Sequence, residues 1–265
     1  GRGNGMGKGI WASLVVGTAI AAGVVYWRYG AFWVPKPTPP AGVASPAAQA
    51  PPPILHPVPV SSATPQEPLP ALEQSDAPLH TRLVEIVGNA PIETYLIPDQ
   101  IIQRAVAAVD SLDRAPPPLR RWPVTPLGGL PLVDAVDDRL FLTRANAARY
   151  EPAISVIATL DARRVAALYL RWYPLFQQAY QELGYPTRYF NDRLIDVIDH
   201  LLAAPEIEGP IPLVRPKILY RYADPALEKR SWGQKTLVRM GPANAAIVKQ
   251  KLREFREVIA SPARQ

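Results

Sequence analysis

Cysteine is absent from these 265 residues, and that one absence closes several routes. No disulfide framework, thiolate metal site or thiol nucleophile can be built, and nothing here can carry a lipoprotein's cysteine-linked lipid. Histidine is scarce, limited to His56, His80 and His200. No Gly-x-Ser-x-Gly elbow and no phosphate-cradling glycine loop occurs, so serine-hydrolase and nucleotide-binding readings have no foothold. Charge is missing altogether between Gly9 and Arg28. The eighteen residues Ile10 to Trp27 are Ile, Trp, Ala, Leu, Val, Gly and Tyr with one Ser and one Thr. At helical rise they cover roughly 27 Å, close to the hydrocarbon thickness of a bilayer.

This run, extended to residues 10–29, is therefore expected to be one transmembrane helix. Arg2 and Lys8 precede it with no acid to offset them, so the positive-inside bias places residues 1–9 in the cytoplasm and the rest across the membrane. Trp11 at one end and Tyr26, Trp27, Tyr29 and Trp33 at the other suit the two aromatic belts. A cleaved signal peptide is the competing reading. Its apolar core would be shorter, and Val24 to Arg28 is bulky where a signal peptidase needs small residues. Ser13, Gly17 and Ala21 stand at four-residue spacing, a stripe through which two such helices could self-associate as a homo-oligomer.

Proline is plentiful where charge is not. Pro35 to Pro70 holds thirteen prolines in thirty-six residues, a composition that cannot bury enough apolar area to offset its ordering entropy. Residues 30–71 are accordingly read as a disordered linker, reaching between about 35 Å as a flexible coil and about 110 Å as polyproline II. Residues 72–260 suit a single, mainly α-helical domain, with 261–265 as a tail.

Within that domain Ser75 and Asp76 cap a helix carrying Leu79, Leu83, Ile86 and Val87, and Pro98 opens another that ends near Asp113. The proline-rich stretch from Ala115 to Gly129 is a loop. Leu130 to Val136 and Arg139 to Leu142 form a hairpin about Asp137 and Asp138. Thr143 caps a segment that Pro152 divides into two helices, Asp161 caps a long helix ending at Gly184, and Asn191 starts the next. Leu213 to Tyr222 is a strand that Pro216 confines to an edge or to extended chain. Asp224 and Pro225 begin a helix reaching Met240, and Pro242 begins the last.

Four blocks then carry a family signature: RYEPAISVIATLDA (Arg149 to Ala162), YPLFQQAYQELGYP (Tyr173 to Pro186), YFNDRLIDVIDHLLAAPE (Tyr189 to Glu206) and LYRYADPALEKRSWGQKTLVRMGP (Leu219 to Pro242). In this order they resemble the bacterial family called domain of unknown function 3014. The resemblance runs from about Leu72 to the last helix. It implies a mainly helical domain on a membrane-anchored protein of the Gram-negative envelope, and it implies no catalytic residue, cofactor or partner.

The sharpest polar cluster lies on the helix from Asn191. Asp192, Asp196 and Asp199 share a face opposite Leu194, Ile198, Leu201 and Leu202, and His200 follows Asp196 by four residues, a spacing at which two side chains can ligate one metal. Asp196 and His200 are thus secondary metal candidates, although first-turn acids and a solvated helix face explain the same pattern. Arg193 neighbours Asp192. Glu182 with Asp192 or Asp196 is the one carboxylate pair that a glycosidase mechanism could use. Tyr169, Trp172, Tyr173, Phe176 and Tyr180 recur at helical spacing and are assigned to the core, with a stacking platform as the alternative.

Charge is unevenly divided. From Arg215 onward twelve Lys or Arg face four Asp or Glu, a balance of 12 − 4 = +8, so the preceding residues sum to 6 − 8 = −2. Lys249, Arg253 and Arg256 line one edge of the final helix. Such an edge suits an anionic envelope polymer or lipid headgroup, while nucleic acid is not expected for a domain outside the cytoplasm. The expectation is a single-pass inner-membrane protein with a periplasmic domain and no cofactor. That domain is read as a non-enzymatic binding or scaffold module for an envelope protein or anionic polymer. The alternative is an envelope hydrolase or metal-dependent enzyme working through Asp192 to His200.

Overall fold

The computed structural model describes residues 52–58, 68–126, 131–216 and 219–260. The run expected to be a transmembrane helix, its Ser13–Gly17–Ala21 stripe and most of the proline-rich segment lie outside the described residues. No helix among the described residues is long and apolar enough to cross a membrane.

The longest helix shows why the domain is helical. Asp161 accepts the backbone N–H groups of Arg163 and Arg164 at 2.9 and 3.3 Å, which satisfies donors that have no partner inside the helix. From this cap α6 (Ala162–Glu182) runs on through Pro174. It buries Tyr169, Trp172, Tyr173, Leu175, Ala179 and Tyr180 in the main core, with Phe176 packed against them. The aromatic spacing is therefore a core. Its rings meet edge-on or tilted, as for Tyr169 with Tyr173 at 5.8 Å and with Phe176 at 5.3 Å, the arrangement that ring quadrupoles favour.

Around α6 gather α1 (Asp76–Val87), α2 (Asn89–Tyr95), α3 (Ile101–Ser111), α4 (Arg144–Ala148), α5 (Glu151–Thr159), α7 (Phe190–Leu202), α8 (Pro225–Glu228), α9 (Trp232–Arg239) and α10 (Pro242–Ile259). Helix α10 packs along α5, α6 and α7, and α3 packs on α6 and α7. Strands β1 (Val133–Val136), β2 (Arg139–Leu142), β3 (Ile211–Val214) and β4 (Arg221–Tyr222) form an antiparallel sheet in sequence order. The sheet has its own small core, in which Leu142, Ile211, Leu213 and Tyr222 meet Leu227 of α8 and Val238 of α9. The fold is mainly α with a four-stranded sheet, a larger β element than the hairpin expected.

The β1–β2 hairpin is as read. Asp137 and Asp138 both take left-handed φ, 48° and 61°, as the tight two-residue turn between twisted strands requires. The extended stretch to Tyr222 differs from its reading. It is two strands, β3 and β4, and Pro216 falls between them. Pro212 instead sits in β3 with paired strands on both sides, opposite Phe141.

Of three further departures, two have one cause, polar groups reaching across the fold. Asp76 is the first residue of α1, yet its carboxylate accepts the N–H groups of Gln100 and Ile101 at 2.7 and 2.9 Å, capping α3 from 24 residues away. Helix α2 was not expected, and Pro91 costs it no bond because first-turn N–H groups are unpaired within a helix anyway. The helix expected from Asp224 to Met240 is split. Ser231 restarts it as α9 by accepting the Gln234 N–H at 3.2 Å, while the N–H groups of Trp232 and Gly233 reach Arg114 and Leu112 carbonyls after α3 at 2.8 and 2.9 Å.

Arg193 ties α7 to α3. Its guanidinium donates to the Asp110 carboxylate at 3.0 Å and carbonyl at 2.6 Å, and to both Asp113 oxygens at 2.8 and 2.7 Å. Arg114 and the Tyr185 hydroxyl donate to the same Asp110 carboxylate, at 2.6 and 3.1 Å. The Arg193 and Asp110 side chains are only 16% and 13% exposed, so water screens this pair far less than a surface bridge.

These junctions set the expected effects of three substitutions on stability. Arg193→Ala takes the part-buried cation from two part-buried carboxylates and leaves them to the more exposed Arg114, at 2.6 and 3.4 Å; it should cost about 2 kcal/mol, a fall in melting temperature of about 4–8 °C. Arg193 hydrogen bonding holds the Asp113 carboxyl below its usual range, against a smaller opposing effect of burial. Its contribution to stability is thus complete above the unfolded-state carboxylate pKa of about 4 and lost as pH falls through the lower folded value, a loss that Asp113→Asn should flatten in acid melts. In Gly233→Ala the new Cβ would stand 2.5 Å from a Leu201 methyl and 2.7 Å from the Leu112 carbonyl oxygen. The α3–α9 junction must open, at about 1–3 kcal/mol by thermal denaturation.

Candidate functional site

The N-terminal turn of α7 is where polar chemistry concentrates. Tyr189 precedes the helix in extended conformation, and Phe190 anchors the turn in the aromatic core. Asn191 is fully buried, and all its hydrogen-bonding capacity is engaged on three sides. Its carbonyl oxygen accepts the Tyr169 hydroxyl at 3.0 Å, and its amide donates to the Ile259 carbonyl at 3.1 Å and the His56 carbonyl at 2.9 Å. Burial pushes the Tyr169 phenol well above its ordinary pKa, with the charges of Tyr189 and Asp192 adding to the effect, so it remains a donor.

Asp192, nominated as a metal ligand or catalytic acid, faces backbone. Its carboxylate oxygens accept the N–H groups of Leu55 and His56 at 3.0 and 2.7 Å, and the Tyr189 hydroxyl accepts that of Val58 at 2.9 Å. Val58 packs on the main core, while Ile54 and Leu55 stay exposed. Residues 52–58 therefore form a strap against the domain rather than part of a free linker, which corrects the reading of 30–71 as disordered throughout for this segment. The reason is local: Ile54, Leu55, His56 and Val58 supply N–H groups that the surrounding prolines lack and bulk that the alanines and serines lack.

The other nominated residues are distributed over separate contacts. Arg193 is engaged with α3, as above. Asp199 pairs with Arg256 of α10 through two bonds of 2.6 and 2.8 Å, which raises the Arg256 pKa. His200 Nε2 lies 2.8 Å from the Ser231 hydroxyl, and the His200 carbonyl accepts the Gln234 amide at 2.8 Å; the helix thereby grips the start of α9. Asp196 is exposed. Among the described residues no group of three or more Asp, Glu or His is arranged to hold a metal ion. Glu182 is exposed at the end of α6 and accepts the Gln178 amide at 2.9 Å.

The basic edge of the last helix is also altered. Lys249 is 3% exposed and donates to the Ala204 carbonyl at 2.7 Å and Glu206 at 2.9 Å, its hydrogen bond holding the Glu206 carboxyl below its usual range. With Arg256 committed to Asp199, Arg253 stands exposed at that edge. The stripe of three solvated cations does not exist, because the α7–β3 connection covers Lys249.

A cleft of about 600 Å³ opens elsewhere, at the α9–α10 junction, with Thr143, Arg144, Glu151, Glu208, Arg239 and Asn244 among its lining. Sequence reasoning singled out none of these as functional, nor Tyr189 and Asn191 beside the strap. The available signal for the strap was compositional: Ile54 to Val58 is the bulky interruption in the proline tract.

Comparison with known proteins agrees with the signature in the α5–α9 blocks. The family model described as protein of unknown function (DUF3014) matches residues 101–256, more than half of the chain and the span from α3 to the last turn of α10. No curated protein and no solved structure matches. By that match the chain belongs to the family of proteins of unknown function DUF3014.

Proposed function

We propose that the chain is a single-pass, membrane-anchored module of the bacterial envelope whose periplasmic domain binds a protein partner rather than catalysing a reaction. The apolar run with its cationic start and aromatic ends supports the anchor and its orientation. The observation that carries the binding role is the use made of α7. Asp192 captures a bend of residues 52–58 by its backbone, and Arg193, Asp199 and His200 join helices. With Lys249 buried and Arg256 paired, an anionic polymer finds little free positive charge on the last helix, so a protein surface fits better than an acidic polymer.

Two measurements test this reading. A reporter active only outside the cytoplasm, fused after Gln265, is expected to be active, and a cytoplasm-dependent reporter silent; the reverse pattern would remove the envelope assignment. Chelation of divalent ions should leave the melting temperature of the full chain in detergent unchanged. A drop of several degrees, restored by a divalent ion and abolished by His200→Ala, would replace the binding module with a metal-dependent activity on the Asp196–His200 face.

A further inference from the structure

The strap and the turn that holds it have the form of a ligand and its site. Between residues 51 and 59 prolines occupy positions 51, 52, 53, 57 and 59, so only Ile54, Leu55, His56 and Val58 can donate a backbone hydrogen bond. Three of these four donors are taken by side chains of one turn, Leu55 and His56 by Asp192 and Val58 by Tyr189. The carbonyl of His56 is met by Asn191. Two of the three receiving groups are also held by the rest of the domain. Asn191 is fully buried and held by Tyr169 and Ile259, and the Tyr189 ring packs on Tyr173 at 5.4 Å. Prolines on both sides restrict the backbone of the segment, which bends at Leu55 and His56, so ordering it costs less entropy than ordering a proline-free chain. Side-chain burial comes from Val58, which packs on the main core, while Ile54 and Leu55 are 54% and 67% exposed.

We propose that the Tyr189–Asn191–Asp192 turn is a recognition site for a proline-flanked peptide that bends at two successive residues, read through its pattern of two successive N–H donors, a proline and a third donor. Residues 54–58 of the same chain are its resident occupant, and a partner protein engages the site by presenting the same pattern in place of the strap. This deepens the binding role proposed above and rests on it, while its test is independent of membrane topology.

The strap competes from a short tether, where effective concentrations are of millimolar order. A peptide added in trans should therefore bind the wild-type chain weakly and bind better once the strap is disarmed. The probe is a fluorescently labelled peptide of residues 51–59, titrated by anisotropy onto the full chain in detergent. In Leu55→Pro/His56→Pro the strap loses both donors to Asp192 while the turn is intact, and peptide affinity should rise at least about tenfold over wild type. Adding Asp192→Ala should abolish that binding, and adding Tyr189→Phe, which removes one oxygen, should weaken it several-fold. A control peptide with proline at both 55 and 56 should not bind.

No gain in the strap variant would overturn the proposal. So would equal binding of the control peptide, since recognition would then rest on something other than the donor pattern. Where Asp192→Ala alters the melting transition, Tyr189→Phe decides, and unchanged affinity in that variant also overturns it. A failed titration leaves the reporter result standing, so the two readings fail separately.

Discussion

The fork of Arg193 into Asp110 and Asp113 is the contact on which the rest of the domain depends. A planar guanidinium that spends four bonds on two carboxylates and a carbonyl fixes rotation as well as distance. Helix α7 is thereby locked about its axis against α3. Every neighbouring side chain on α7 then has a defined destination: Asn191 toward α6 and the end of α10, Asp192 toward the strap, Asp199 toward α10, His200 toward α9. A lysine in place of Arg193 could neutralise charge but could not set this rotation.

That arrangement explains why a helix with an obvious polar stripe does not present a solvated face. Four of the five polar residues from Asp192 to His200 meet another element, because α7 is packed by α3, α6, α9 and α10. Charges and amides here join the apolar contacts of Phe190, Ile195, Val197, Ile198 and Leu201 as connectors between helices. They also impose register, since a displaced ion pair leaves an unpaired buried charge, whereas displaced leucines find other leucines. The same logic applies at α10, where Lys249 reaches the carbonyl that follows α7, and at α4, where buried Asn146 accepts the Leu132 N–H and donates to the Arg239 carbonyl, both at 3.0 Å.

What was legible in the sequence was local. Asp161 ahead of a helix, Pro242 at the start of one, two aspartates between alternating strands and aromatic rings at helical spacing each declare themselves within a few residues. The helical class and the hairpin followed from such signals. What stayed hidden was decided at a distance. Asp76 reads as the cap of its own helix and serves another. Ser231 breaks a helix because carbonyls beyond α3 take the first donors of α9. Lys249 has the spacing of an exposed cation, and only the path of residues 204–206 buries it. The strap was hidden because composition argues for disorder over a whole tract and is silent about one short interruption within it.

The central claim is that the polar turn at the start of α7 grips backbone, with Asp192 acting as an acceptor rather than as an acid or a metal ligand. Amide hydrogen exchange at individual residues of the full chain in detergent tests it most directly. Leu55, His56 and Val58 should exchange more slowly than Ala47 and Ala48 in the same proline-rich segment, and Asp192→Ala should erase the protection of Leu55 and His56 while the amides of α6 remain protected. Unprotected exchange at Leu55 and His56 in the wild-type chain, or protection unchanged by loss of the Asp192 carboxylate, would contradict the account.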